Sequence, residues 1–274
     1  DQSRVADVDF NYTVFTNLSP EHLDYHGTMA DYFQAKLKLF TALSPSATAI
    51  VNIETEYGQA ISNNCTVPVV ATAMAKTGDV FFKDYQISLT GIHGTIQAGA
   101  NIYPVDSSLI GKFNAENILC ATATGNAMGL TQEAIKNGLK KCTSIPGRME
   151  SFALRSGATA LIDYAHTPDA YDKVLSTIKD MVVEPGVLHI VFGCGGDRDK
   201  TKRAQMAASA ERFGYYCYVT PDNPRTEELT EITADIVGGF RANEYAVFDE
   251  RGAGLRQALD RAAENDVVVV LGKG

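Results

Sequence analysis

Four side chains that can bind a cation are concentrated in one short loop near the start of the sequence. Glu21, His22, Asp24 and His26 fall within six residues, and all could reach a single metal ion. Histidine pairs in loops are more often hydrogen-bonded structure, so the pattern alone leaves both interpretations open. Magnesium prefers oxygen ligands, so a magnesium site here would need carboxylate-like partners from elsewhere in the chain.

A lysine on the neighbouring predicted helix is the second candidate. Thr28 followed by Asp31 is typical of a capping box and predicts that a helix begins there. Lys36 follows Phe33 by three positions and precedes Phe40 by four, which places it on the apolar stripe of that helix. Its amine could extend to the edge of the stripe, as lysines commonly do, or it could be buried with a shifted pKa or a chemical modification.

The second half of the sequence alternates apolar strands with helical patterns, which predicts a parallel sheet. Strands are expected at residues 158–163, 188–192, 215–220, 245–248 and 267–271, with a helix in each interval. Thr167 should cap the first of these helices, with Pro168 in its first turn. Ligands bind beyond the carboxyl ends of parallel strands, and the segments with unusual composition all follow strands: residues 163–166, 193–199, 222–225 and 272–274. The sequence therefore predicts a ligand site at that edge of the sheet.

Several familiar site types do not fit this pattern. The glycine run that starts at Gly193 lacks the third glycine of a dinucleotide fingerprint and the acidic residue expected about twenty positions further on. A Walker-type phosphate loop does not occur in the 274 residues. Cys194 has no histidine close in sequence that could activate it as a nucleophile. The four basic residues between Arg198 and Arg203 are expected to form the solvated start of a helix.

Composition excludes several functional classes. The sequence is 45% hydrophobic and 21% charged, which is typical of an ordinary globular protein. A formal net charge of −9 argues against nucleic acid or an anionic membrane surface as a partner. No apolar run approaches the roughly eighteen residues that a membrane helix needs. Five scattered cysteines without a Cys-x-x-Cys pair favour a reducing, cytoplasmic environment over a disulfide framework.

The length of 274 residues predicts two domains, each with its own core. The Pro-Gly pair at residues 146–147 predicts a hinge, so the domains are expected at 1–147 and 148–274. In the first domain we expect an α/β unit with strands near residues 13–16, 48–53 and 80–102, and helices at 28–40 and 131–141. The sequence starts without an initiator methionine or targeting signal and stops directly after an apolar strand, which favours a fragment of a longer protein.

Taken together, eight segments resemble the MurE ligases, a branch of the Mur ligase family. They are TNLSPEHLDYHG at 16–27, YFQAK at 32–36, GKFNAEN at 111–117, PGR at 146–148, DYAHTPDA at 163–170, GCGGDRD at 193–199, DNPR at 222–225 and GKG at 272–274. The resemblance implies an α/β fold: part of the central ATPase domain, without its phosphate loop, followed by a Rossmann-like C-terminal domain with a mostly parallel sheet. It also implies a monomeric, cytoplasmic, ATP- and magnesium-dependent ligase. Its reaction adds meso-diaminopimelate to UDP-N-acetylmuramoyl-L-alanyl-D-glutamate in peptidoglycan synthesis.

The resemblance also assigns roles to individual residues. It implies that Lys36 is carbamylated, a reaction that burial of the neutral amine would favour, and that His22 and this carbamate bind magnesium and act in catalysis. Nucleotide-binding residues would be Asn114, Asn117, Arg148 and Asp163. Residues that bind the UDP-muramoyl-dipeptide would be Gln2, Arg4 and Lys36. Residues that bind meso-diaminopimelate would be Arg198, Asp222, Asn223, Pro224, Arg225 and Gly272. Glu21 and the segment 52–55 depart from the family pattern. A chain without the phosphate loop is expected to be inactive alone.

Two alternatives remain beside this interpretation. One is a catalytically inactive MurE-like scaffold protein, and the other is a different amide ligase of the Mur and folylpolyglutamate synthase type. Lys36, His22, Asp163 and Arg225 are all present, and a structural scaffold would need none of these side chains.

Overall fold

The computed structural model describes residue 5 and residues 7–20, 23–242 and 244–272, except for the side chain of Asp24. The chain divides into two compact units. The first comprises residues 1–86, 92–108 and 112–142, and the second comprises residues 87–91, 109–111 and 143–274. The boundary at residues 147 and 148 stays a prediction.

The first unit contains one sheet in the order β1-β2-β3-β4-β5-β6. Strands β1 to β4 are parallel neighbours, and β5 and β6 pair antiparallel. The elements in chain order are β1 (Tyr12–Phe15), α1 (Leu23–His26), α2 (Met29–Thr41), β2 (Thr48–Asn52), α3 (Glu56–Asn64), β3 (Val69–Ala73), β4 (Val80–Ser88), β5 (Gly91–Ala98), β6 (Asn101–Ser107), α4 (Lys112–Ala127) and α5 (Gln132–Lys141).

The second unit contains a second sheet in the order β11-β10-β9-β12-β8-β7. All its neighbouring strands are parallel except the pair β7 and β8. The elements in chain order are β7 (Glu150–Ala153), β8 (Thr159–Asp163), α6 (Pro168–Lys179), β9 (Leu188–Phe192), α7 (Thr201–Phe213), β10 (Tyr216–Val219), α8 (Leu229–Val237), β11 (Tyr245–Val247), α9 (Arg251–Arg261) and β12 (Val267–Leu271).

Each sheet has an apolar core on the faces that its helices cover. In the first unit, Phe15, Phe40 and Ile61 belong to a buried cluster that joins β1, α2 and α3. In the second unit, every residue of β12 is buried, because the strand is central in its sheet. A fully buried valine side chain contributes roughly 1.5–3 kcal/mol, so β12 is a large part of this core.

The predicted strand and helix alternation of the second half is confirmed, with strand ends that differ by at most one residue from prediction. Thr167 caps α6 by accepting a hydrogen bond from the Ala170 amide, and Pro168 occupies the first turn. Thr28 caps α2 in the same way through the Asp31 amide. These predictions depended on residues adjacent in sequence, and local contacts are enough to realise them.

Several elements were not predicted: α1, α3, β3, α4 and β7. Helix α4 shows why. Its buried residues include Asn114, Leu119, Cys120 and Ala123, which at 3.6 residues per turn spread over roughly two thirds of the helix circumference instead of along one stripe. A helix buried on several sides lacks the 3.6-residue pattern by which a helix is recognised in sequence.

No helix among the described residues is both long enough and apolar enough to cross a membrane.

Candidate active site

The carboxyl ends of four strands in the second unit meet at one edge of the sheet. Strand β12 lies between β8 and β9, with Leu271 opposite Asp163. The amide of Gly272 donates to the Asp163 carbonyl at 3.0 Å. A methyl group on Gly272 would lie 3.5 Å from an Asp222 carboxylate oxygen. The structure therefore brings together segments that are separated by up to about a hundred residues in sequence, as ligand sites of parallel sheets do.

Residues 193–199, named here the glycine loop, pack directly on the segment that follows β10. A methyl group on Gly193 would collide with the Thr220 carbonyl oxygen, and one on Gly196 would collide with the Pro224 carbonyl oxygen. Both glycines are buried. They are needed for close approach of two backbones, which is a different requirement from that of a dinucleotide fingerprint.

Residues 222–225, named here the DNPR turn, are held by their own side chains. Asp222 accepts from the Asn223 amide at 2.6 Å, and Asn223 accepts from the Arg225 amide at 3.3 Å. Arg225 adopts a φ of 52°, a left-handed conformation that is unfavourable for a residue with a side chain. Its Nη1 donates to the Gly196 carbonyl, so the turn contacts the glycine loop.

Two further predicted residues lie on the same edge. Arg198 is exposed on the glycine loop, and Pro224 is half-buried against Gly196. Helix α8 begins at Leu229, with Glu228 at its N-cap position, so Arg225 lies outside the helix.

Arg203 corrects one prediction of the sequence analysis. The basic cluster was expected to be solvated, but the Arg203 side chain is completely buried in α7. Its guanidinium donates to both carboxylate oxygens of Glu227, to Asp235 and to the Gly195 carbonyl. The sequence carried no signal for this, because the carboxylate partners lie 24 and 32 positions away.

Arg251 lies at this edge and was not predicted from the sequence, whereas Tyr171 lies on α6. Arg251, in the first turn of α9, donates to the Thr220 hydroxyl at 3.0 Å and to the Leu271 carbonyl at 3.1 Å. It therefore links the ends of β10 and β12. Tyr171 is fully buried on α6, and burial raises its pKa well above the ordinary value, with Cys194 and Asp222 acting in the same direction.

Asp163 is buried at the end of β8, where both of its carboxylate oxygens accept backbone hydrogen bonds. The Met149 amide donates at 3.0 Å and the Ala165 amide at 2.8 Å. Burial raises the pKa of Asp163, although these hydrogen bonds and the charge of Arg148 act in the opposite direction. Arg148 is exposed, with its guanidinium 5.5 Å from the centre of the Tyr164 ring. His166 is exposed beside the same ring, and its Nδ1 lies 3.0 Å from the Tyr164 carbonyl oxygen.

The other predicted nucleotide-binding residues lie in the first unit, at the beginning of α4. Asn114 is buried and Asn117 is exposed one turn later, with its amide donating to the Asn114 side chain at 3.5 Å. Glu116 lies between them and accepts from Asn52 at 3.3 Å. Burial, and the nearby Glu54 to a smaller extent, raise the pKa of Glu116, whereas Lys112 opposes the shift.

Of the two interpretations of Lys36, the structure supports the amine that extends to the edge of the apolar stripe. The buried residues of α2 are Tyr32, Leu37 and Phe40, and Lys36 is exposed, with its Nζ 5.3 Å from the centre of the Tyr32 ring. The side chain starts from the apolar stripe but is long enough to carry its charge past the stripe into water. His26, the last residue of α1, stacks on the same Tyr32 ring, with 4.8 Å between the ring centres.

Three predicted residues, Gln2, Arg4 and His22, lie outside the described residues. Among the residues that are described, no group of three or more His, Cys, Asp or Glu side chains could hold a metal ion. The described side chains therefore do not form a magnesium site on their own.

Cys194 follows β9 at the same edge and is buried, with a pKa raised by burial to about 12. A thiol with that pKa is protonated at neutral pH and is a poor nucleophile.

Comparison with known proteins gives the family. The Mur ligase middle domain matches residues 1–125, and the Mur ligase glutamate ligase domain matches residues 147–274. The chain is 40% identical to the UDP-N-acetylmuramoyl-L-alanyl-D-glutamate--2,6-diaminopimelate ligase of Synechococcus elongatus and 37% identical to that of Geobacter metallireducens. All of the chain is covered in both alignments, but only 55% and 58% of the two relatives.

A solved structure of a ligase with the same name aligns with the whole chain and 57% of its own length, at 31% identity and a TM-score of 0.69. The chain thus spans little more than half the length of the relatives that it matches. With both domain models matched in order, the chain belongs to the Mur ligase family.

Proposed function

We propose that this chain forms part of an ATP-dependent amide ligase that joins meso-diaminopimelate to UDP-N-acetylmuramoyl-L-alanyl-D-glutamate. Relatives that carry this activity in their names support the proposal. The observation that carries it is the meeting of the DNPR turn, the glycine loop and Gly272 at one sheet edge. A monomeric, cytoplasmic enzyme is part of the same proposal, and size-exclusion chromatography with light scattering would test the monomer.

The sheet edge suits an amino acid that carries two carboxylates and two ammonium groups. The Asp222 carboxylate would receive an ammonium group, and Gly272 beside it leaves room for the main chain of a ligand. One N–H of Arg225 is used by Gly196, and the guanidinium carries further donors in a planar arrangement that suits a carboxylate. Arg198, exposed on the glycine loop, would bind a carboxylate of the same molecule.

The remaining assignments follow the family resemblance. Asn114 and Asn117 would contact adenine, and Asp163 and Arg148 would contact the rest of the nucleotide. ATP would phosphorylate the side-chain carboxylate of D-glutamate, and the amine of diaminopimelate would attack the acyl phosphate and displace phosphate. Exclusion of water from the acyl phosphate is essential, because hydrolysis competes with the amine.

Magnesium would neutralise charge on the phosphoryl oxygens when it is bound. An ammonium group is not a ligand for this ion, so Lys36 fits the site only as a carbamate, whose oxygens magnesium prefers. Lys36 is exposed, so it lacks the burial that would favour carbamylation, and the carbamate is proposed from the resemblance alone. His22, Gln2 and Arg4 are proposed as ligand and substrate contacts from the resemblance alone.

The experiment is a ligation assay with the full-length gene product, offering meso-diaminopimelate or L-lysine. Lysine lacks the remote carboxylate and would leave Arg225 without its partner, so we expect discrimination worth about 2–5 kcal/mol against lysine. Arg225→Ala should lose most of the activity with diaminopimelate, whereas Arg256→Ala, an exposed arginine on α9, should not. Equal use of lysine by the wild type, or an unchanged rate for Arg225→Ala, would refute the proposal.

A further inference from the structure

We propose that the buried Arg203 and the half-buried Glu227 form a clamp that fixes the glycine loop relative to the DNPR turn, and that both are positioning residues for the amino-acid substrate. The proposal rests on the function proposed above. Neither residue touches the substrate in this proposal, and each acts through the two loops that it joins.

The first half of the clamp is the Arg203 guanidinium. Its distances to the two Glu227 oxygens are 2.8 and 3.0 Å, and its distance to Asp235 is 2.9 Å. Its Nη2 also donates to the Gly195 carbonyl at 3.2 Å. One side chain on α7 therefore holds the glycine loop by its backbone and the end of the DNPR turn by a carboxylate two residues beyond Arg225.

The second half runs in the opposite direction, from Glu227 to the glycine loop. Glu227 accepts from the Asp197 amide at 2.5 Å and from Lys200 Nζ at 2.9 Å. Asp197 in turn accepts from the amide and hydroxyl of Thr226, at 3.1 and 2.7 Å. The two loops are thus joined by reciprocal hydrogen bonds, and a shift of either loop would break several at once.

The conformations of the joined residues show what the clamp holds in place. Asp197 and Arg225 have φ values of 50° and 52°, which non-glycine residues rarely adopt. Such conformations persist only where surrounding contacts fix them. Arg225 is one of these two residues, and Arg198 directly follows the other, Asp197. The clamp therefore constrains the backbone at both arginines proposed to bind the substrate.

General stability is a poor explanation for this arrangement. Apolar residues of similar volume commonly replace a buried ion pair without loss of stability. An apolar pair, however, could not supply hydrogen bonds to Gly195 and Asp197 at the same time. Hydrogen bonds from Arg203 and Lys200 lower the pKa of Glu227 to about 2, because they stabilise the charged carboxylate that accepts them.

The test uses the full-length gene product with Glu227→Gln and Arg203→Met, and Arg212→Met as the matched control. Arg212 lies on the same helix and pairs with Asp172 at 3.2 Å, but this pair is exposed. We expect Glu227→Gln and Arg203→Met to raise KM for diaminopimelate about tenfold or more. The kcat at saturation and KM for ATP should stay within about twofold of wild type, because a shifted loop weakens amino-acid binding first.

Hydrogen exchange of the same variants, without substrate, gives an independent measurement. Glu227→Gln should accelerate exchange of amides in residues 195–200 and 222–228, and Arg212→Met should not. An unchanged KM for diaminopimelate in Glu227→Gln would overturn the proposal, even if Arg203→Met fails to fold. If the wild type does not ligate diaminopimelate, the proposed function fails, and faster exchange in both loops would still support the clamp.

Discussion

Replacing Gly196 with alanine places a methyl group where the backbone of Pro224 already lies. The added carbon would be 2.6 Å from the Pro224 carbonyl carbon and closer still to its oxygen. Non-bonded carbon atoms normally stay about 3.5–4.0 Å apart. The glycine loop or the DNPR turn must therefore retreat by about 1 Å.

This displacement has two measurable consequences. Inserting a methyl group into a packed region costs about 1–3 kcal/mol of the free energy of unfolding, which urea denaturation would detect. A 1 Å misplacement of binding groups can reduce activity by about a hundredfold, so kcat/KM for diaminopimelate should fall on that scale. This fall in kcat/KM should exceed the fall that a smaller folded fraction would cause, because the substitution displaces binding groups in the folded protein itself.

Gly238→Ala provides the matched control. Gly238 ends α8 in the same unit, and a methyl group there would lie 3.4 Å from its nearest neighbour, the Ala234 carbonyl oxygen. Its φ of −60° suits alanine, so stability should change by no more than about 0.5 kcal/mol. If Gly196→Ala and Gly238→Ala have the same free energy of unfolding and the same kcat/KM, the close approach of the two loops does not determine stability or diaminopimelate use.

Two further predictions concern other parts of the molecule. Burial lowers the pKa of His189 despite the adjacent Asp266, so the unfolded state binds the proton more readily, and Tm should fall as pH drops below about 6.5. His189→Gln should flatten this dependence of Tm on pH between about pH 7.5 and 5.5. Asp266 does not contribute in that range, because its lowered pKa affects stability only below about pH 3.8. The same slope of Tm against pH in the variant and the wild type would therefore contradict the assignment of the effect to His189. Lys36→Ala should abolish ligation. It should leave Tm unchanged, because the side chain is exposed. Lys38→Ala, at another exposed position on the same helix, should leave ligation intact. Normal activity of Lys36→Ala, or no carbamate signal in wild type after incubation with isotopically labelled bicarbonate, would refute the carbamate.

The sequence determined those features that short-range physics can specify. The apolar run at residues 267–271 had to be a buried strand, and Thr167 with Pro168 had to start a helix, because the groups that satisfy these elements are neighbours in the chain. The alternation of strands and helices in the second half then required a parallel sheet, with the unusual segments after its strands.

The tertiary structure decided burial and partnership. Lys36 and Arg203 both occupy helices, yet the first reaches solvent and the second is completely buried. Nothing local distinguishes them: the carboxylates that allow the burial of Arg203 come from Glu227 and Asp235, on other segments of the chain. A charge is buried only where the fold supplies partners that replace water, and those partners exist only once the strands have assembled.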